Sequence, residues 1–170
     1  MLKRVEEDLG GRLTPIVAHT GSVLDKGVSQ AIVDGAQLPV STLERTIIDS
    51  VIYTEEIGGA GEALLWTRAA LNKDIDYHEF NRIFAEVYGQ AKSVAARLGF
   101  LIERALHETQ KSKAKVPMNV LLSRLERTST KTRATYNWGP EKDETEYFQR
   151  WHLHVSVSYL NQLREVSSYE

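Results

Sequence analysis

The chain has 170 residues, 42% of them hydrophobic and 26% charged, with a formal net charge of −2 and no cysteine. That composition suits one globular domain able to bury its own core, and it excludes disulfides, thiolate metal sites and cysteine nucleophiles. Apolar runs far short of the roughly 20 residues that span a bilayer, together with an acidic, polar opening MLKRVEEDLGG, lead us to expect a soluble cytoplasmic protein with no membrane role.

The first 40 residues read as a short polar helix followed by strands at 15–19, 28–34 and 38–40, separated by Gly21, Gly27 and Gly35. The stretch VSTLERTIIDSVI then sets Glu44, Arg45 and Asp49 inside an apolar run. Such a cluster invites a catalytic reading, yet each charge has a local structural use. Ser41 and Glu44 have the spacing of a capping box. Arg45 and Asp49 lie one turn apart and can pair along the helix surface, while Leu43, Ile47, Ile48, Val51 and Ile52 make an apolar face.

Gly58, Gly59 and Gly61 punctuate a turn before a helix in which Ala60, Ala63, Leu64, Thr67 and Leu71 fall at helical spacing. No Lys-Ser/Thr pair follows these glycines, so they do not make a nucleotide loop. Asp76 and Glu79 repeat the capping pattern, with Ile75 and Phe80 placed as a hydrophobic staple. Phe80, Ile83, Phe84 and Val87 form the buried stripe of that helix, which ends near Gly89.

In the next helix Ala91, Val94, Ala95, Leu98, Ile102, Ala105 and Leu106 share a face. Gly99 interrupts it at a cost of about 1 kcal/mol against alanine, which implies that another backbone packs closely there. Arg97 and Arg104, one heptad apart, form a basic line on a different side. Pro117 suits the first position of a further helix; there Met118, Leu121, Leu122 and Leu125 face inward and Arg124 and Arg127 outward.

The period changes after residue 133. Trp151, Leu153, Val155, Val157 and Tyr159 alternate with polar residues, the signature of a half-buried antiparallel strand. Ala134, Tyr136 and Trp138 alternate likewise and suggest its hairpin partner across the acidic loop GPEKDETE. The order of elements predicts an α+β fold: short N-terminal strands, a central bundle of four to five helices and a C-terminal antiparallel hairpin.

Residues 111–133 carry seven basic side chains and one acidic one. Lys111, Lys113, Lys115, Arg124, Arg127, Lys131 and Arg133, with Arg97 and Arg104 if they align, form a candidate nucleic-acid-binding stripe. Phosphate contacts of this kind give salt-dependent affinity with little base specificity. The alternative is a solvated connector neutralised by the acidic loop 141–146 folding over it. His152 and His154 lie two apart on one strand and could share a metal, but no third ligand is evident nearby, so an ordinary strand face is the simpler reading. No nucleophile setting, nuclease signature or cofactor motif is found, so no catalytic residue, metal or cofactor is assigned and a non-enzymatic role is expected.

Four landmarks in order, PVSTLERTIIDSV, IGGAGEALLWTRAAL, AARLGFLIE and the tryptophan-bearing QRWHLHVSV, resemble the C-terminal domain of AbiEi-type antitoxins over about residues 14–157. These are transcriptional regulators of type IV toxin–antitoxin systems in abortive infection. The resemblance implies a single domain over 1–170 that regulates without catalysis, with promoter DNA as a possible partner and a nucleotidyltransferase-like toxin as functional counterpart. Family members usually carry an amino-terminal winged helix-turn-helix before this domain, and none is evident here. A protein-interaction or oligomerisation module with no nucleic-acid role is the alternative from a different class.

Overall fold

The computed structural model describes residues 26–33, 35–73, 75–108 and 115–168. The expected amino-terminal helix, the strand at 15–19, Lys111 and Lys113 lie outside the described residues. Within them the chain is α+β. Strands β1 (Val28–Val33) and β2 (Ala36–Ser41) form an antiparallel hairpin. Five helices follow: α1 (Leu43–Ile52), α2 (Ala60–Leu71), α3 (Tyr77–Tyr88), α4 (Lys92–Glu108) and α5 (Lys115–Ser129). Strand β3 (Tyr136–Trp138), strand β4 (Thr145–Phe148), a single 3₁₀ turn at Gln149–Trp151, strand β5 (Leu153–Ser156) and helix α6 (Val157–Ser168) complete it.

Helix α1 begins one residue later than the capping box predicts. Thr42 is the N-cap, its hydroxyl accepting from the Arg45 amide at 3.4 Å. Glu44 does not turn back to Ser41. Its carboxylate accepts from the Asp76 amide at 2.9 Å, tying the start of α1 to the start of α3. Ile47, Ile48 and Val51 are fully buried, as the apolar face requires. At α3 the cap is as expected: Asp76 Oδ1 accepts from the His78 and Glu79 amides at 2.8 and 3.1 Å, while Glu79 pairs forward with Arg82 at 2.6 Å. Gly89 closes α3 in the left-handed region at φ +57°, a conformation that L residues with a side chain resist.

Helix α4 is the spine of the core. Ala95, Leu98, Leu101, Ile102 and Ala105 are completely buried. Close packing at Gly99 is real, but its cause is a ring and not a second backbone: a Cβ there would lie 2.0 Å from Trp151 Cζ3. The Trp151 indole N–H donates to Glu103 Oε2 at 2.7 Å. Arg150 stacks its guanidinium 4.9 Å from the same ring and bridges Glu103 and Glu126. One glycine and one salt-bridged arginine thus seat the C-terminal segment on α4 and α5.

The C-terminal sheet corrects two expectations. Its order is β3-β5-β4. The antiparallel partner of β5 is β4, drawn from the end of the expected acidic loop, whereas β3 lies parallel to β5 on the other side. Alternation identifies the buried face of a strand but not its direction, and Tyr136 and Trp138 turn inward beside Leu153 and Val155 in either sense. The expected long strand also stops at Ser156. There the Ser156 hydroxyl accepts from the Tyr159 amide at 3.3 Å and the chain turns into α6. Tyr159, Leu160 and Leu163 are buried, and Gln162 Oε1 accepts from the Ala60 amide at 2.8 Å, serving as the cap that Gly59 cannot supply to α2. Among the described residues no helix is long and apolar enough to cross a membrane.

Candidate nucleic-acid interface

Glu44, Arg45 and Asp49 turn out to be joints of the scaffold. Arg45 and Asp49 pair at 3.3 Å as the spacing predicts, but the arginine is only 6% exposed and does not run along an outer surface. Its Nη1 donates to the Lys26 carbonyl at 2.7 Å, anchoring the base of the β1–β2 hairpin. Asp49 also accepts from the Tyr88 hydroxyl at the far end of α3. Burial raises the Asp49 pKa above its usual 3.8, against the lowering effects of the Tyr88 and Arg45 bonds. Tyr88 is pushed above its ordinary range, first by burial and then by the carboxylate. With Glu44 on the Asp76 amide, the three charges link α1 to the hairpin and to both ends of α3.

The basic residues divide into two sets. Arg97 donates Nη2 to the Asn137 carbonyl at 2.7 Å and Nη1 to the Val51 carbonyl at 3.4 Å, clamping β3 and the end of α1 onto α4. Burial lowers its pKa, so its charge is a local cost of that clamp. Arg104 lines an open groove of about 330 Å³ with Phe100, Glu103, His107 and Phe148. Its pKa is lowered by burial first and then by the positive charges of Arg164 and Arg68. These two arginines have different surroundings, Arg97 against the Val51 and Asn137 carbonyls and Arg104 on the wall of the groove.

Arg124 is half-buried on α5, and Arg127, Lys131 and Arg133 are exposed along its last turn and the segment leading to β3. Cations at this end of a helix meet the negative pole of its dipole, which favours them by a few tenths of a kcal/mol. Lys115 opens α5 at the other end. Two carboxylates of the acidic segment are turned away from the ridge. Asp143 accepts from the Ser158 hydroxyl and Glu146 lies 3.9 Å from Arg164, so both carboxylates are directed toward α6. Among the described residues Arg127, Lys131 and Arg133 make no ion pair with protein. Comparison with family models, curated proteins and solved structures finds no match. What this surface can do follows from its own chemistry.

His152 and His154 part company in the fold. His152 ends the 3₁₀ turn with φ +50°. His154 lies in β5, its Nδ1 3.5 Å from Thr145 Oγ1 and its ring 4.8 Å from that of Tyr147. Among the described residues no three histidine, aspartate or glutamate side chains converge as a metal site would require. The pairing of Tyr147 with His154 is not evident from the sequence reading, which ends the acidic loop at Glu146 and runs Tyr147 on into the stretch containing His154, whereas β4 folds back against β5. The alternation of Thr145 and Tyr147 with Glu146 and Phe148 was the available signal.

Proposed function

We propose that this chain is a regulatory domain of the kind the AbiEi-type antitoxin resemblance implies, holding nucleic-acid phosphates on the ridge of Arg127, Lys131 and Arg133. The observation that supports it is the placement of these three exposed cations within seven residues while Asp143 and Glu146 of the acidic segment that could fold over them are turned toward α6. A ridge of this kind attracts phosphates without reading bases, so in a promoter complex it would supply affinity and orientation. The charges between Val40 and Ile52 support a non-catalytic reading, because they are bound to backbone amides, a carbonyl and a tyrosine of the scaffold.

The test is binding of fluorescent duplex DNA across a salt series. Each phosphate held contributes about −0.9 to the slope of log affinity against log salt, and alanine at Arg127, Lys131 or Arg133 is expected to reduce the slope by about that amount each. A flat series, unchanged by the three substitutions, removes the ridge from the proposal. Co-expression with a nucleotidyltransferase-like toxin tests the antitoxin role separately: growth is expected to resume, and persistent arrest would count against it.

A second reading, a protein-interaction module, is favoured by α2. That helix is apolar on both sides: Ala63, Leu64 and Ala70 enter the core, while Leu65 and Trp66 remain 40% and 37% exposed on the outside. An exposed tryptophan next to an exposed leucine gives this face an aromatic side chain of the type enriched at interface anchors. Trp66→Ser is expected to weaken complex formation in light scattering if this face is used, and to leave the DNA salt slope unchanged.

A further inference from the structure

The outer face of the C-terminal sheet carries groups that the cationic ridge does not use. Strand register aligns Asn137, His154 and Tyr147 in a single row across β3, β5 and β4. With strands about 4.8 Å apart the row spans about 10 Å. Leu153 and Val155 alternate into the core, which turns this row outward. Tyr147 is 48% exposed, and its ring is braced by His154 with the planes 36° apart. Thr145 stands beside His154 on the same face, also exposed. Behind the row, Arg97 grips the Asn137 carbonyl and steadies the strand that presents the Asn137 amide.

A braced, half-exposed ring beside an imidazole and a hydroxyl, with an amide on the far strand of the same row, combines a flat stacking surface with groups that can meet base edges. Lys131 and Arg133 lead directly into β3 and bring positive charge to the same sheet. The nearest acidic side chain in β4, Glu146, pairs in register with Val155 on the opposite face and lies toward Arg164. Aromatic rings on a sheet with adjacent cations suit unpaired nucleotides, whose bases can stack on the ring while the phosphates meet the cations. A duplex hides its base faces and would engage only the cations.

We propose that the outer face of β3-β5-β4 binds single-stranded nucleic acid, with Tyr147 stacking on a base, His154 and Thr145 offering hydrogen bonds beside it and Asn137 offering one further along the strand. This inference rests on the ridge reading for its phosphate contacts and adds the site that would distinguish an unpaired strand. The experiment measures fluorescence anisotropy of a labelled single-stranded oligonucleotide and of its duplex with the whole chain. It compares the unaltered protein with Tyr147→Ala, Tyr147→Phe and the pair Lys131→Ala and Arg133→Ala. The single strand is expected to bind more tightly than the duplex. Tyr147→Ala should weaken single-strand binding about tenfold and leave duplex binding unchanged, Tyr147→Phe should retain both, and the double alanine variant should weaken both. Circular dichroism melting checks that Tyr147→Ala folds, and His154→Ala carries the same comparison with a smaller loss if it does not. If the ring variants bind a single strand as the unaltered protein does while the double alanine variant does not, the sheet site is refuted and the ridge stands. If neither oligonucleotide is bound, both are refuted.

Discussion

The junction of α1 with α3 and the segment from α5 to β3 are comparably rich in charge, yet they handle it in opposite ways. At the junction, Glu44 and Arg45 are 7% and 6% exposed, and each is bonded to the backbone of another element. On the ridge, Arg127, Lys131 and Arg133 stand in water with no acidic partner among the described residues. The difference teaches that charge density alone does not mark a functional surface. What matters is whether the hydrogen-bonding capacity is already spent on the fold. A buried ion pair is costly to assemble and more costly to break, whereas an exposed cation costs the fold little and remains available.

The largest effect that separates the two regions is expected at Arg45. Arg45→Ala removes the donor to the Lys26 carbonyl and leaves the half-buried Asp49 carboxylate with Tyr88 alone. Breaking one side of such a pair typically costs about 3 kcal/mol, readable as a lower denaturant midpoint with an unchanged m-value. A loss below about 0.5 kcal/mol, the scale of ordinary surface substitutions, would place Arg45 with the ridge residues and dissolve the comparison.

The same junction predicts a pH dependence. Burial raises the Asp49 pKa in the folded protein above its usual 3.8, so the folded state holds this proton more tightly than the unfolded chain. The stability linked to it is fully present below pH 3.8 and is lost as pH rises through the raised folded value. Asp49→Asn cannot ionise and is expected to lack that decline. Because Asp76, Glu79 and Glu86 are shifted downward and lose stability on acidification instead, the informative quantity is the difference between the variant and the unaltered protein across mildly acidic pH. A constant difference would show that Asp49 is solvated like a surface carboxylate.

A smaller effect tests where α1 begins. Thr42→Ala removes the cap to the Arg45 amide and is expected to cost about 1 kcal/mol. Ser41→Ala, at the position the capping-box spacing selects, is expected to be nearly neutral because Ser41 is the exposed end of β2. Equal losses at both sites would restore the original capping box.

These corrections show which physical properties can be read from spacing. The helices with strong apolar periodicity, the Asp76 cap and the demand for room at Gly99 were legible because each is set by local geometry. The Arg45–Asp49 pair was legible, but its burial was not: a spacing of four residues is the same on an outer surface and against a hairpin. Alternation in 151–155 identified the buried face of β5, but parallel pairing with β3 depends on β4 returning the chain, which no pattern within β3 records. Helix α6 was hidden because its Tyr159, Leu160 and Leu163 follow directly on a run of period two. On the candidate surface, the cations of 124–133 were legible as a block. Arg97 was not separable from them, because only the folded chain brings the Asn137 and Val51 carbonyls to its guanidinium.

The smallest effect on stability is expected on the ridge, and it makes the comparison sharpest. The double substitution Lys131→Ala and Arg133→Ala removes two exposed charges that make no ion pair among the described residues, so folding stability should change by less than about 0.5 kcal/mol. It should even rise slightly if repulsion between neighbouring cations is relieved. The same substitution is expected to lower the salt slope of nucleic-acid binding by about 1.8, at about 0.9 per phosphate lost. Arg97→Ala should reverse this pattern: it unclamps β3 from α4 and the end of α1, destabilising the fold, and it should reduce binding only in proportion to the folded fraction. Measuring stability and salt slope on the same samples therefore assigns each arginine or lysine to scaffold or to surface. A ridge variant that unfolds readily with its salt slope unchanged would show that these cations, too, belong to the scaffold.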